Sequence, residues 1–562
     1  MKKIISVFLA ITMLFSTAVI GASAEDATDD LVITVANDLH YNHTLKTENV
    51  ADGKYTEDYA NAVGTGQMNL ENELIIDEFL NQAAANDSSA ILLPGDITDK
   101  GSDTELVYMA AKLTAFEKAT GKEVYLIPGN HDYFGGCTVE KFKAFYKELI
   151  FDQAITVDTK TASYVADIND EYRLLAIDAT KPRSVQNLNE ELYVWIEAQL
   201  KAAEKDGKKV IAMSHYNLLE HLVMMNVLHN GSILTPSLDL PELFAKYNVK
   251  YTFTGHTHDH DIKAYKGANG NTIYDVVTTS INAYPCAYRV VSFGEKVKFE
   301  TKYIESVDTS SLKGKITDAT YAQATEDFSA YSYNLFCEGL KTTISSYVSA
   351  AQLKKLLKLD AEKDAELCAI LDTVIPKAAE VINMPLYRAD ETEEGKSVEA
   401  ILSEYSITLP ESDYDTLVDI AAMVYLTHVL GDERIGVFDT DLSLTTSCFA
   451  AIFNYALEDV TAEQYAQIMS IACSFLGANV PVDFFKYAGS GFKKAEGVDL
   501  FIAGVLTPVL LEVTTDEGTP DNNVTLDGYA AAYEEEEELT FWEKIVKFFK
   551  AVFAYIARIF GF

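Results

Sequence analysis

Between residues 31 and 306 the chain alternates two textures. Short runs rich in Val, Ile and Leu fall at 31–35, 90–93, 124–127, 173–177, 210–213, 251–254, 273–277 and 289–293. Unbroken apolar runs of that length are what strands buried on both faces require. Between them, 69–85, 103–120, 139–149 and 189–206 carry apolar residues at helical spacing. Strand alternating with helix predicts an α/β layered fold. The last runs have little helix between them and predict antiparallel additions or a second sheet.

After residue 306 the strand-like runs fade. Segments 347–359, 363–383, 397–405, 414–430 and 462–476 repeat apolar residues at intervals of three and four. That period marks amphipathic helices and predicts an all-α domain over 307–515. Residues 516–539 are polar and acidic, ending in Glu534–Glu538, and read as a solvated linker. Residues 540–562 are expected to form a separate amphipathic helix. Phe541, Trp542, Ile545, Phe548, Phe549, Val552, Phe553, Tyr555, Ile556, Ile559 and Phe560 make its apolar face, and Glu543, Lys544, Lys547, Lys550 and Arg558 make a polar stripe.

The N-terminus adds an address. Lys2 and Lys3 precede a mostly apolar stretch, and Ala22-Ser23-Ala24 supplies small residues before Glu25. This is the pattern of an export signal over 1–24, with an uncleaved anchor as the alternative. It leaves residues 25–306 for the α/β domain, in a secreted protein or one on the extracellular cell surface.

Charge and cysteine content narrow the partners. The net charge is −40, and loss of the leader with its two lysines makes it −42. This balance argues against a broad basic surface, and no nucleic-acid polymer is expected as a partner, because phosphate contacts need clustered Lys and Arg. A focused site for cations or small ligands is favoured. The six cysteines form no C-x-x-C pair, so neither a zinc ribbon nor a thioredoxin-like site is indicated. They read as isolated buried thiols.

Nine of the ten histidines precede residue 261; the tenth is His428. Five polar clusters follow predicted strands: Asp38-Leu39-His40, Gly95-Asp96-Ile97-Thr98-Asp99, Gly129-Asn130-His131-Asp132, Ser214-His215 and Gly255-His256-Thr257-His258. Ligands of α/β sheets bind just outside strand carboxyl ends. Carboxylate, amide oxygen and imidazole together suit Mn, Fe or Zn. Each cluster alone could be an ordinary turn. Five in succession, each on a strand end, define one site.

This set resembles the calcineurin-like metallophosphoesterase superfamily, whose pattern is D-x-H, G-D-x-x-D, G-N-H-D/E, a lone H and G-H-x-H. The resemblance covers residues 31–306. It implies a layered β-sandwich flanked by helices and two divalent or trivalent metal ions. Asp38, His40, Asp96 and His258 would hold one ion; Asp96, Asn130, His215 and His256 would hold the other, with Asp96 bridging. A hydroxide held between the ions would attack phosphorus. By the same resemblance His131 protonates the leaving oxygen, and Asp99 orients His131. Asp132 is a weaker candidate for assistance.

Two departures within the superfamily are informative. Purple acid phosphatases have Tyr where this chain has Asp99 and lack the histidine kept here as His40. Ser/Thr protein phosphatases carry G-D-x-x-D-R-G, whereas Lys100-Gly101 follows Asp99 here. The second departure points away from phosphoproteins and towards phosphodiesters or small phosphomonoesters. The stretch from His215 to His221 resembles secreted bacterial relatives of cyclic-nucleotide phosphodiesterases with a helical C-terminal domain. Asn217 and His221 would then line the pocket, or else merely cap the sheet. His43, His229 and His260 carry no assigned chemistry, apart from support of His258 by His260.

The expected activity is hydrolysis of a small-molecule phosphodiester of the cyclic-nucleotide kind. The alternatives are a nucleotide or sugar phosphomonoester, a lipid headgroup phosphodiester, or a non-enzymatic surface interaction protein. The tail 541–562 is long enough to span a bilayer. Lys547 and Lys550 near its middle would each cost roughly 3 kcal/mol on insertion. An in-plane helix on an anionic membrane is therefore the expectation.

Overall fold

The computed structural model describes residues 31–43, 66–180, 188–221, 233–234, 238–314, 316–388, 396–431, 440–476, 478, 485, 494–514 and 519–529. Residues 1–24, read above as an export signal, and 540–562, read as an amphipathic helix, lie outside the described residues. Among the described residues no helix is long and apolar enough to cross a membrane.

The first half runs β1 (Leu31–Val35), α1 (Asn72–Ala85), β2 (Ala90–Leu93), α2 (Asp103–Thr120), β3 (Glu123–Leu126), α3 (Val139–Phe145), β4 (Thr156–Val157), β5 (Tyr164–Asp167), β6 (Tyr172–Ile177), α4 (Glu190–Lys205), β7 (Lys209–Ser214), α5 (Leu240–Lys246), β8 (Tyr251–Thr254), β9 (Asp261–Lys266), β10 (Thr272–Val277), β11 (Ala287–Phe293) and β12 (Lys296–Tyr303). Among the described residues there follow the helices α6 (Asp318–Glu326), α7 (Phe328–Tyr347), α8 (Ala350–Leu356), α9 (Ala365–Ile382), α10 (Val398–Glu404), α11 (Leu417–Leu430), α12 (Thr440–Ala456), α13 (Ala462–Phe475), α14 (Lys494–Phe501) and α15 (Thr507–Thr514), then the strand β13 (Val524–Asp527).

The strands form two mixed sheets flanked by helices. One has the order β13-β12-β11-β1-β2-β3 and the other β4-β5-β6-β7-β8-β10-β9. β1, β2 and β3 are parallel, as are β6, β7, β8 and β10, so their carboxyl ends share an edge. β6 shows why these strands read as unbroken apolar runs. Its Leu174 and Ala176 enter the core between the sheets, while Leu175 and Ile177 enter the core beneath α4 and α5. Both faces are buried, so neither parity can be polar.

Two expected boundaries shift. The α/β core does not stop at 306, since Leu312, Ile316, Ala324, Phe328 and Tyr331 all pack into it. α6 and the start of α7 therefore belong to its flank. Their amphipathic pattern is the same whichever core they face. The reading of 516–539 as a solvated linker is also corrected over its described part, 519–529. Val524–Asp527 is a strand paired antiparallel with β12. Asp521 is fully buried, its carbonyl accepts from Arg289 and its Oδ1 accepts from the Ile262 amide at 2.9 Å. The chain returns from the helices to complete the first sheet. A four-residue strand among acidic neighbours carries too little apolar periodicity to announce this.

The helical part has its own core, including Val374, Leu402, Leu444, Tyr465 and Met469. A smaller cluster joins it to the α/β part: Ala283, Phe336, Leu426 and Val429, flanked by Tyr284, Tyr333 and Tyr425. All six cysteines are described and none is paired.

Candidate metal centre

The five clusters converge at the shared strand edge, where backbone bonds lock their loops together. The His40 amide donates to the Asp96 carbonyl at 2.9 Å, Asp99 N to Tyr41 O at 3.0 Å, and Gly255 N to His215 O at 3.0 Å. Asn37 Nδ2 ties the ends of β8 and β10 to β1 through the Thr254 and Thr278 carbonyls. Glu105 secures the second loop. It forms a capping box with Ser102 at the start of α2 and also accepts from the amides of His43 and Lys100.

Asp38, His40, Asp96, His256 and His258 all have positive φ, between 46° and 72°. Non-glycine residues rarely adopt this conformation, and it persists where the surroundings over-determine it. Two glycines are required by close approach. A Cβ on Gly129 would collide with the Asp96 carboxylate, and one on Gly255 would lie 2.6 Å from Asp38 Oδ2.

Among the described residues three groups of potential ligands result, Asp38-His40-His258, Asp96-His215-His256 and His40-Asp99-His131. In the first, His40 Nε2 is 3.3 Å from His258 Nε2 and 3.9 Å from Asp38 Oδ1, and His258 Nε2 is 3.6 Å from Asp38 Oδ1. In the second, His215 Nε2 is 3.4 Å from Asp96 Oδ2 and 2.9 Å from Asn130 Oδ1. Asp96 Oδ2 is also 3.8 Å from His40 Nε2, so one oxygen faces both groups. Ligand atoms each about 2.1 Å from one ion lie about 3.0–3.5 Å apart. The donor spacing and chemistry fit two cations sharing Asp96.

Hydrogen bonds at the far sides of the rings fix the tautomers. His215 Nδ1–H donates to the Pro94 carbonyl at 3.0 Å, which leaves Nε2 to face Asp96. His131 Nδ1–H donates to the Asp99 carbonyl at 2.8 Å, with Asp99 Oδ1 at 3.2 Å. That Oδ1 also lies 3.5 Å from His40 Nδ1, and Oδ2 accepts from Asn42 Nδ2 at 2.7 Å. His40, Asp99 and His131 thus meet through the backs of the two rings. The geometry is that of a carboxylate orienting imidazoles rather than of a third cation site.

The electrostatics follow from burial and proximity. Burial opposes ionisation of Asp38 and Asp96, yet imidazoles hold both below the usual carboxylate range: His258 at Asp38, and His215 and His131 at Asp96. Burial and the neighbouring His215 push His256 down to about 3, which favours the neutral imidazole, the form that can accept a cation. Burial disfavours a charged His131, but Asp96 and Asp99 outweigh it and push it up to about 9. Protons and cations compete for these atoms, so cation uptake displaces protons.

All nine sequence-nominated residues come together here: Asp38, His40, Asp96, Asn130, His215, His256 and His258, with His131 and Asp99. Asp132 has a different task. Buried completely, it accepts from the amides of Gly129, Ile97 and Thr98 and from the Thr98 hydroxyl, stapling the third loop to the second. Asn217 and His221 do not line the mouth. Asn217 Nδ2 donates to Thr254 Oγ1, and His221 sits between Asp261 and Asp275. His260 is buried against Thr301. His43 binds Glu105 by its backbone, and His229 lies outside the described residues. Sequence reasoning missed Asn42, Glu105 and Phe134. Glu105 was visible as the third residue of a capping box; the others carry no local signal. Phe134, 44% exposed, sets its ring 4.5 Å from that of His131, whose side chain is 27% exposed.

The two helix-flanked mixed sheets are consistent with a metallophosphoesterase fold. Residues 31–260 match the calcineurin-like phosphoesterase family, and the chain carries a domain of that family over those residues. Among solved structures it is similar to a dimetal phosphatase from Danio rerio, at 14% identity over 49% of this chain and 96% of that one, with TM-score 0.34. It is similar to a purple acid phosphatase from yellow lupin, Lupinus luteus, at 13% identity over 51% of this chain and 53% of the other, with TM-score 0.31. A third is a structure of PhoD, at 11% identity over 50% and 66%, with TM-score 0.31. No curated protein matches the chain.

Proposed function

We propose that the protein is a metal-dependent hydrolase of small-molecule phosphodiesters. When bound, two cations would supply Lewis acidity and a nucleophile at neutral pH. Asp38, His40 and His258 would hold one, Asn130, His215 and His256 the other, and Asp96 both. His131 would deliver a proton to the leaving oxygen, with Asp99 holding its ring.

The observation that favours a diester is the wall beside His131. Lys100 follows Asp99 where an arginine clamp would stand, and its ammonium is turned to Asp99 Oδ2 at 3.1 Å. The exposed neighbour of His131 is the apolar ring of Phe134. A dianionic monoester calls for cationic donors, whereas a phosphoryl group with an organic substituent is suited to an apolar ring. The test is hydrolysis by Mn-, Fe- or Zn-reconstituted protein of bis-p-nitrophenyl phosphate against p-nitrophenyl phosphate, then of cyclic AMP against 5′-AMP. Faster diester turnover supports the reading. Faster monoester turnover overturns the diester assignment, and no turnover of either overturns the enzyme assignment.

Export and membrane contact complete the proposal. The pattern of 1–24 supports secretion, and the aromatic, lysine-bearing tail 541–562 supports peripheral attachment to an anionic membrane. Full-length protein should co-sediment with anionic liposomes and a chain ending at Glu538 should not. Equal behaviour of the two counts against the tail.

A further inference from the structure

Two donors meet at one oxygen of Asp99. Asn42 Nδ2 donates to Oδ2 at 2.7 Å, and the Lys100 ammonium lies 3.1 Å from the same atom. Their footing differs. Asn42 is 3% exposed, whereas the Lys100 side chain is 47% exposed. An ammonium on a flexible, solvated stem holds a carboxylate weakly. A buried amide that donates to an ionised acceptor makes a charge-assisted bond in a low local dielectric. The backbone keeps Asn42 in place. Tyr41 N donates to Ile97 O at 3.1 Å, Asp99 N donates to Tyr41 O at 3.0 Å, and Tyr41 bridges Thr98 in parallel register. Residues 42 and 99 therefore stand abreast.

The hold on Oδ2 decides where Oδ1 points. Oδ1 lies 3.2 Å from His131 Nδ1 and 3.5 Å from His40 Nδ1. The Asp99 carbonyl accepts from His131 Nδ1–H at 2.8 Å. One residue thus faces the back of the His131 ring with two acceptors. The carbonyl is fixed by the main chain, but Oδ1 turns about the terminal side-chain torsion, which is broad for aspartate. With the Asn42 amide gone, Lys100 would draw Oδ2 towards solvent. That rotation takes Oδ1 away from His131.

We propose that Asn42 is a positioning residue for hydrolysis. By holding Asp99 Oδ2 it keeps Oδ1 against His131 Nδ1 and so fixes the ring that delivers the proton. The first strand-end loop then serves the acid as well as the cations. The inference rests on the acid role read for His131 above. Partners that orient a working imidazole from behind typically change activity by about 10–100-fold when removed.

The experiment uses full-length Asn42→Leu, which keeps the shape of the side chain and removes its N–H groups, and Asn42→Ala, which adds no bulk. The first measurement is solvent exchange of His131 Nδ1–H in metal-free protein by ¹H–¹⁵N resonance, the signal being assigned by its absence from His131→Ala. Exchange should be at least about tenfold faster in both variants, the fold-change that corresponds to loss of a hydrogen bond to a charged group. The second is turnover by Mn²⁺-loaded protein. Both variants should lose kcat by about 10–100-fold for a glycerophosphodiester, with KM little changed. The loss should shrink for bis-p-nitrophenyl phosphate and vanish in a His131→Ala background. Unchanged exchange, equal losses for the two esters, or losses that add fully to that of His131→Ala would each overturn the proposal. If His131→Ala itself keeps wild-type turnover of both esters, the acid reading falls, and the exchange rate alone decides whether Asn42 orients the ring.

Discussion

The main-chain N–H of His131 donates to Asp96 Oδ1 at 2.8 Å, which occupies one carboxylate oxygen and leaves Oδ2 facing His40 and His215. One residue thereby joins both ligand groups and also anchors the backbone of the nominated acid.

Asp96→Ala should therefore abolish binding of both cations, while His258→Ala weakens mainly one. Elemental analysis after metal loading checks this. Two equivalents retained by Asp96→Ala would refute the shared carboxylate.

His131→Ala should retain its metals and lose kcat by about 10²–10⁴ for alkyl leaving groups, the usual range for proton transfer by a side chain. p-Nitrophenolate leaves with little need of a proton, so the loss should shrink for nitrophenyl esters. Equal losses across a leaving-group series would remove His131 from the acid role.

Phe134→Ala should lower kcat/KM for bis-p-nitrophenyl phosphate by about tenfold, the order expected for one aromatic contact. Hydrolysis of a glycerophosphodiester should be nearly unaffected. If both fall alike, Phe134 serves only to brace His131.

Stability should depend on His221 at alkaline pH. Burial disfavours its charge, but Asp261 and Asp275 outweigh burial and push it up to about 10. In the unfolded chain it would titrate near 6.5. Its contribution is thus complete below about pH 6.5 and lost as pH rises towards 10. The thermal midpoint of the wild type should fall over that interval by several degrees more than that of His221→Gln. Parallel curves would show that the buried pair carries no net stabilisation.

The polar clusters and the buried strands were legible because each is local. A strand covered on both faces needs an unbroken apolar run, as in residues 31–35 and 90–93, and a ligand loop must follow its strand in sequence. β9, β12 and β13 escaped for the converse reason. β12 buries alternate residues only, Val297, Phe299 and Thr301, and its lysines interrupt the run.

What the amino-acid sequence by itself determined is the inventory: an α/β layer, a helical region, nine candidate site residues and their assignment to strand ends. Periodicity and motif spacing report which face a residue takes within its own element. They carry no information on which distant elements touch, because that choice is made by packing and by closure of long loops. Tertiary structure alone decided that Asp99 Oδ1 serves both His40 and His131 and that Asp132 is a staple. It also brought β13 back to β12 and the end of α11, 168 positions beyond His260, onto the loop that carries His258. Each of these is a contact between segments whose local patterns are complete without it.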